Sequence, residues 1–131
     1  MLISFLRRTL SRHMRTAAML LALGIMLSLF ILGAHPIAVN LIPSPWDKLV
    51  HGCVFALLTC GVGLASGLQD RRRLVVGLAA ALLVGALDEW HQAYLPGRQA
   101  TWNDLIADVA GSIIGAGLLA RGTRREQHNG N

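Results

Sequence analysis

The chain alternates long apolar runs with short polar interruptions, and the lengths of those runs predict its architecture. A charge-free run extends from Thr16 to Ala34, close to the roughly 20 residues that a helix rising about 1.5 Å per residue needs to cross a hydrocarbon core. Pro36, Pro43 and Pro45 then mark a non-helical loop. A second run, Leu49 to Gly67, holds His51 as its one strongly polar side chain. After a polar turn at Leu68 to Arg73, residues Leu74 to Leu87 are again wholly apolar. That third run is too short to span by itself, so its helix must continue through Asp88, Glu89, His91 and Gln92 to about Leu95, where Pro96-Gly97 turns the chain. A fourth helix, from about Trp102 to Ala120, carries Asp104 and Asp108.

The pattern predicts an all-α integral membrane protein, a four-helix bundle with helices at about 16–34, 48–67, 74–95 and 102–120. A basic segment, 1–15, precedes it, and a polar tail, 121–131, follows it and is expected to fray. The first run is expected to be a retained helix and not a signal sequence. It exceeds the usual apolar region of about 7 to 15 residues, and Gly33-Ala34-His35-Pro36 makes a poor cleavage site.

Composition agrees with lipid as the solvent: 53% of the 131 residues are apolar and 15% charged, with a mean hydropathy of +0.51. The net charge of +5 could suggest nucleic acid, but the basic residues lie in clusters between the apolar runs, with few aromatics for base stacking. The clusters are Arg7, Arg8, Arg12 and Arg15, then Arg71, Arg72 and Arg73, then Arg121, Arg124 and Arg125. All three fall on one side of the membrane if the N-terminus is cytoplasmic, which puts both termini in the cytoplasm. Trp46, Trp90, Tyr94 and Trp102 map to the opposite side, together with Asp47, Asp88, Glu89, Asp104 and Asp108. Cys53 and Cys60 stand about 10 Å apart along one helix, too far to pair, and read as small buried residues.

Helical rise places His51 roughly 7 Å inward of Trp46, Glu89 roughly 7 Å inward of Tyr94, and Asp108 roughly 9 Å inward of Trp102. A charge in hydrocarbon costs at least about 2.5 to 3.5 kcal/mol, so these groups are expected to face the bundle interior as neighbours. Helical phase adds that Gly77, Ala81, Gly85, Asp88 and Gln92 form one stripe, with Glu89 at its edge, and that Asp104, Asp108, Gly111 and Gly115 form another. Small residues at this spacing let helices approach closely in lipid. On the second helix, Asp47 and His51 share a face, about a quarter turn from Gly52, Ala56, Thr59 and Gly63.

Plainer readings stand beside these. Ser44-Pro45-Trp46-Asp47 and Thr101-Trp102-Asn103-Asp104 both match helix starts of the S/T-x-x-D kind, which would make Asp47 and Asp104 simple capping residues. Asp88 and His91 could be solvated at the interface, whereas Glu89, Asp108 and His51 read as too deep for capping. Arg98 is either a countercharge to the acids or a grip for a phosphate or carboxylate.

Asp47, Lys48 and His51, then Glu89-Trp90-His91-Gln92, Pro96-Gly97-Arg98, Asp104 and Gly111 resemble, in order, the VanZ-like membrane protein family, named after a protein associated with teicoplanin resistance. The resemblance covers Asp47 to Gly115. It singles out Asp47, Lys48, His51, Glu89, Gln92, Arg98 and Asp104, while Asp108 stands where Asn or Asp is expected. It implies a bacterial cell-envelope setting, in the cytoplasmic membrane, more than a particular reaction.

The leading functional expectation is therefore a protein that handles an amphipathic envelope molecule at the outer leaflet: a lipid-linked wall precursor, a phospholipid head group or a glycopeptide antibiotic. Arg98 and Lys48, with Gln92 and Asp47, would bind it. Glu89 and His51, with Asp104 and Asp108, would supply acid and base if there is chemistry. A second reading is a metal-dependent hydrolase or transferase using His51, Glu89, Asp104 or Asp108, although no tight ligand motif occurs and no metal or other cofactor is expected. A third is a non-catalytic accessory subunit whose polar cluster is a structural network. Membrane lipids or lipid-linked intermediates are the expected partners, with no nucleic acid. Homo-oligomerisation is left open. No glycine-rich phosphate loop suggests a soluble enzyme, and four short helices leave little room for a transport pathway.

Overall fold

The computed structural model describes residues 2–38, 41–97 and 101–128. Among these residues the chain is helical and has no strand. Helix α1 (Leu2–Leu27) runs on into a π-helical segment, Ser28–Leu32, and a short 3-10 turn follows at Pro36–Ala38. Helices α2 (Trp46–Ala65), α3 (Asp70–Gln92) and α4 (Trp102–His128) complete the bundle. Each of the four contains a stretch long and apolar enough to cross a membrane: Ser11–Leu32, Trp46–Ala65, Asp70–Gln92 and Trp102–Gly122. The protein is a multi-pass membrane protein.

The helices are longer than the apolar runs at three of their ends. Helix α1 starts at Leu2, well before Thr16, because the arginine-rich segment contains neither glycine nor proline and arginine is a good helix former. Helix α3 starts at Asp70, so Arg71 to Arg73 form its first turn and are not part of the connection. Helix α4 continues through the polar tail to His128. Helix α3, by contrast, stops at Gln92, short of Leu95, since Pro96 disfavours helical backbone in the residue before it. Between α2 and α3 the turn is closed by Gly67 at φ +65°, a conformation that glycine adopts without strain.

Helix α2 is central and packs against α1, α3 and α4. Its irregular small-residue pattern follows from these three neighbours. A Cβ on Gly111 of α4 would collide with the backbone of Gly52, and one on Gly115 would lie 2.5 Å from the Ala56 carbonyl oxygen. On another side, a Cβ on Gly77 of α3 would lie 2.5 Å from the Thr59 carbonyl oxygen. On the third, Gly61 faces Ala18 and Ala22 of α1.

The two stripes expected on α3 and α4 are the buried ones. Gly77, Ala81, Gly85, Asp88 and Gln92 are buried on α3, and Asp104, Asp108, Gly111 and Gly115 on α4. The interior is apolar only in part, because Thr59, Arg73, Asp88, Gln92, Asp104, Asp108 and Ser112 are buried beside Phe55, Leu58, Ala81 and Val84. The bulky side chains point outward instead: Leu27, Ile31, Leu83, Ile106 and Ile113 are exposed. That distribution suits a chain whose surroundings are hydrocarbon.

The close approach at Gly111 yields a direct expectation. Gly111→Ala should destabilise the bundle by about 1–3 kcal/mol, because its methyl group has no room against backbone. Gly117→Ala, where a Cβ meets nothing within 4 Å, should leave the unfolding temperature in detergent unchanged or slightly raised. Equal unfolding temperatures for the two variants would rule out the tight α2–α4 contact.

Candidate functional site

The first turn of α2, the last turn of α3 and the first two turns of α4 meet at the end of the bundle that carries Trp46, Tyr94 and Trp102. Three groups of bonds organise the polar side chains there. In the first, Lys48 Nζ donates to Asp47 Oδ2 at 2.5 Å and also to Asp104 Oδ1, so one ammonium is shared by two carboxylates. The side chain of Asp104 is 11% exposed, and its other oxygen accepts the Thr101 hydroxyl at 2.7 Å.

The second group holds the start of α4. Thr101 Oγ1 accepts the Asp104 N–H at 3.2 Å while donating to the Asp104 carboxylate. The expected S/T-x-x-D start is therefore formed at Thr101. In the usual capping box the acid three residues on would accept the Thr101 backbone N–H. Here that N–H donates instead to Glu89 Oε2 on α3, at 3.0 Å. Glu89, read from the sequence as too deep for capping, is a half-buried inter-helix cap. At the start of α2 the matching motif is not formed, since Pro45 stands at the cap position and no side chain bonds there.

The third group is the most deeply placed. His51 Nδ1 and Asp108 Oδ1 are 2.8 Å apart; Asp108 is 1% exposed and its Oδ2 is buried with no hydrogen-bond partner among the described residues. The His51 ring lies nearly parallel to that of Phe55, with centroids 6.4 Å apart. On α3, Gln92 Nε2 donates to Asp88 Oδ2 at 2.8 Å, and Asp88 is fully buried. The interfacial, solvated position considered for Asp88 is thus replaced by an interior one. His91 packs its ring against Phe30 of the π-helical segment, with centroids 5.5 Å apart.

Of the residues expected to form a site, Asp47, Lys48, His51, Glu89, Gln92, Asp104 and Asp108 come together at this end of the bundle. Arg98 lies outside the described residues. Among the described residues no three His, Cys, Asp or Glu side chains are grouped so as to hold a metal ion.

Two cavities flank the cluster. One, of about 560 Å³, is walled mainly by apolar residues of α1, the π-helical segment and α2, such as Leu20, Ile25, Leu29 and Val54. The other, of about 750 Å³, is lined by Asp47, Lys48, Thr101 and Asp104 as well as Leu41 and Ile42. Ser28, Gly33, His51 and Gln92 belong to the walls of both. Ser28 and Gly24 were not singled out in the sequence, although two small residues four apart in an otherwise bulky helix are a recognisable signal.

The cap assigns Glu89 a measurable structural share. Glu89→Ala should lower stability by about 0.5–2 kcal/mol, the usual cost of losing a helix cap. Glu89→Gln, which keeps an acceptor oxygen, should lose only a fraction of that in denaturant or thermal unfolding in detergent. An Ala variant as stable as the parent would show that the Thr101 N–H does not depend on Glu89.

No curated protein and no solved structure matches the chain. A model of the VanZ/LLP1 family matches residues 2–122 of the 131. The match reaches well beyond the stretch from Asp47 to Gly115 and takes in α1 and the segment after it, where Ser28 and Gly33 line both cavities. The chain belongs to the VanZ/LLP1 family.

Proposed function

We propose that this protein binds an amphipathic cell-envelope molecule in the bacterial cytoplasmic membrane, with the apolar part of that molecule between α1 and α2 and its head among the polar groups at the aromatic end. The candidates are a lipid-linked wall precursor, a phospholipid and a glycopeptide antibiotic. The observation that carries this reading is the junction of an apolar cavity with a polar one at Ser28, His51 and Gln92. Ligand sites are mostly apolar with a few convergent polar groups, and a junction of this kind suits a molecule with both characters. Lys48, expected to hold an anion, is already shared by Asp47 and Asp104. A zwitterionic or hydroxyl-rich head therefore fits better than a bare anion, because Asp47 Oδ1 is a buried acceptor with no partner among the described residues.

The positive-inside rule supports placing both termini in the cytoplasm and the polar cluster beneath the outer leaflet, since the arginine clusters gather at the end opposite Trp46, Tyr94 and Trp102. The aromatic end then lies where amphipathic rings are enriched, at a membrane–water interface.

A second reading has an observation of its own. The bonds from Asp47 through Lys48, Asp104 and Thr101 to Glu89 tie α2, α3 and α4 together, which is what a non-catalytic accessory subunit with a structural network would have. The metal-dependent reading receives no such support.

One substitution separates the first two. Gly24 lines the apolar cavity, and a Cβ there meets nothing within 4 Å, so Gly24→Phe should fill the cavity without disturbing packing. It should sharply reduce the lipid that co-purifies, measured by native mass spectrometry, while unfolding stays close to that of the parent. Gly117→Phe, also in open space, serves as the control. Unchanged bound lipid in Gly24→Phe would favour the accessory reading.

The orientation has its own check. Alkaline phosphatase fused after His128 should be inactive and green fluorescent protein fused there should fluoresce. The reverse pattern would invert the topology.

A further inference from the structure

We infer that His51 exchanges a proton with the head of the bound amphiphile through Nε2, and that Asp108 is the positioning residue that turns this nitrogen toward the junction of the two cavities. The inference rests on the proposed occupation of those cavities by an amphiphile.

The geometry leads to it in three steps. The Nδ1 side of the ring is committed to Asp108 Oδ1 at 2.8 Å. A buried carboxylate acceptor selects the neutral tautomer that carries its proton on Nδ1, and so leaves the lone pair on Nε2. Phe55 lies parallel to the ring one turn along α2, which limits rotation. His51 is one of the few residues in the walls of both cavities, so the free nitrogen is the part of the ring left to meet a ligand. The transfer is balanced: an ammonium or hydroxyl of the head, or a water held beside it, gives its proton to Nε2, and the electron pair stays on that nitrogen or oxygen. The Nδ1–H remains directed at Asp108, and the reverse step returns the proton.

The roles of the surrounding acids point the same way. Lys48 is shared by Asp47 and Asp104, Glu89 is spent on the Thr101 N–H, and Asp88 accepts from Gln92. Among the described residues the acid bonded to the histidine is Asp108. Its Oδ2 is buried without a partner among the described residues, which is a cost to stability and not a contribution. A dyad serving packing alone gains nothing from that arrangement, because a pair of well-packed apolar residues would do as well.

The test uses the full chain in nanodiscs of phosphatidylethanolamine and phosphatidylglycerol. Histidine ¹⁵N spectra, recorded where the ring is neutral, should show His51 as a single Nδ1–H tautomer. Asp108→Asn, whose amide can either donate or accept, should give a mixture while helicity is retained. Diethyl pyrocarbonate, which acylates an unprotonated ring nitrogen, should modify His51 in detergent, and adding phosphatidylethanolamine should protect it. The exposed His13 and His35 are internal references. In Asp108→Asn the His51 rate should fall by about twofold or more, in step with the share of rings that no longer carry the lone pair on Nε2. An Nε2–H tautomer in the parent, or a His51 rate unmoved by Asp108→Asn, would overturn the inference. Loss of lipid protection in Gly24→Phe with the tautomer intact is the expected pattern. Absence of lipid protection in the parent, with the tautomer and the Asp108→Asn effect as described, would overturn the amphiphile reading instead, and with it the ligand end of this inference.

Discussion

The backbones of α2 and α4 touch at Gly52 and Gly111, and the polar site depends on that contact. Helices separated by ordinary side chains pack about 8–10 Å apart. In lipid no hydrophobic force pulls them closer, and only small residues and polar bonds do so. With a glycine on each side of the contact, His51, the residue before Gly52, reaches Asp108, one turn before Gly111. The same approach repeats one turn further along, where Gly115 sits on Ala56 and Thr59. Ser112 sends its hydroxyl back to the Asp108 carbonyl, satisfying itself within α4. Close packing and polar burial are thus one feature. The carboxylate is sheltered because the helices touch, and the helices hold their register partly because the carboxylate has a partner across the interface.

A second consequence is that the acids divide by task. Those nearest the aromatic end secure the connections: Asp104 and Thr101 start α4, Glu89 ties that start to the end of α3, and Lys48 carries the link to α2. Those turned further into the interior, Asp88 and Asp108, are held by Gln92 and His51, and Asp88 also lines the apolar cavity. Removing a group from the outer layer loosens a helix end, whereas removing one from the inner layer leaves a charge uncompensated in the interior, which costs more.

Much of this could be read from the chain because hydrocarbon penalises misplacement so heavily. The stripes Gly77 to Gln92 and Asp104 to Gly115 followed from helical phase, since a helix in lipid has one face that can hide polar groups. The meeting of His51 with Asp108 followed from depth. What escaped was whatever depends on distances of one or two ångströms. Asp88 and Glu89 are neighbours in sequence at almost the same depth, and it is the Thr101 N–H, reaching Glu89 from the start of α4, that makes Glu89 the cap. Lys48 was expected to bind a ligand because one of its two partners, Asp104, comes from another helix far along the chain. Helix ends were misjudged for a different reason: apolar runs mark where lipid is, while arginine continues a helix beyond it.

Helix α1 was the least legible, and its packing explains the cavity beside it. It rests on α2 where Ala18 and Ala22 face Gly61, and it meets α3 through its π-helical end, where Phe30 lies against His91. Between these two supports stand Gly24 and Ser28, and the Ser28 hydroxyl is turned back to the Gly24 carbonyl. Small residues on one helix bring a partner close only if the partner also presents a surface that fits. Opposite Gly24 no side chain among the described residues does so, since a Cβ there meets nothing within 4 Å. A π-helical segment inserts an extra residue in the turn and is frequent at functional sites. Here Ser28, at its start, and Gly33, the residue after it, line both cavities. The groove is therefore a gap between two points of contact, held open by rigid helices on either side, and it is bounded at its polar end by the histidine that Asp108 holds.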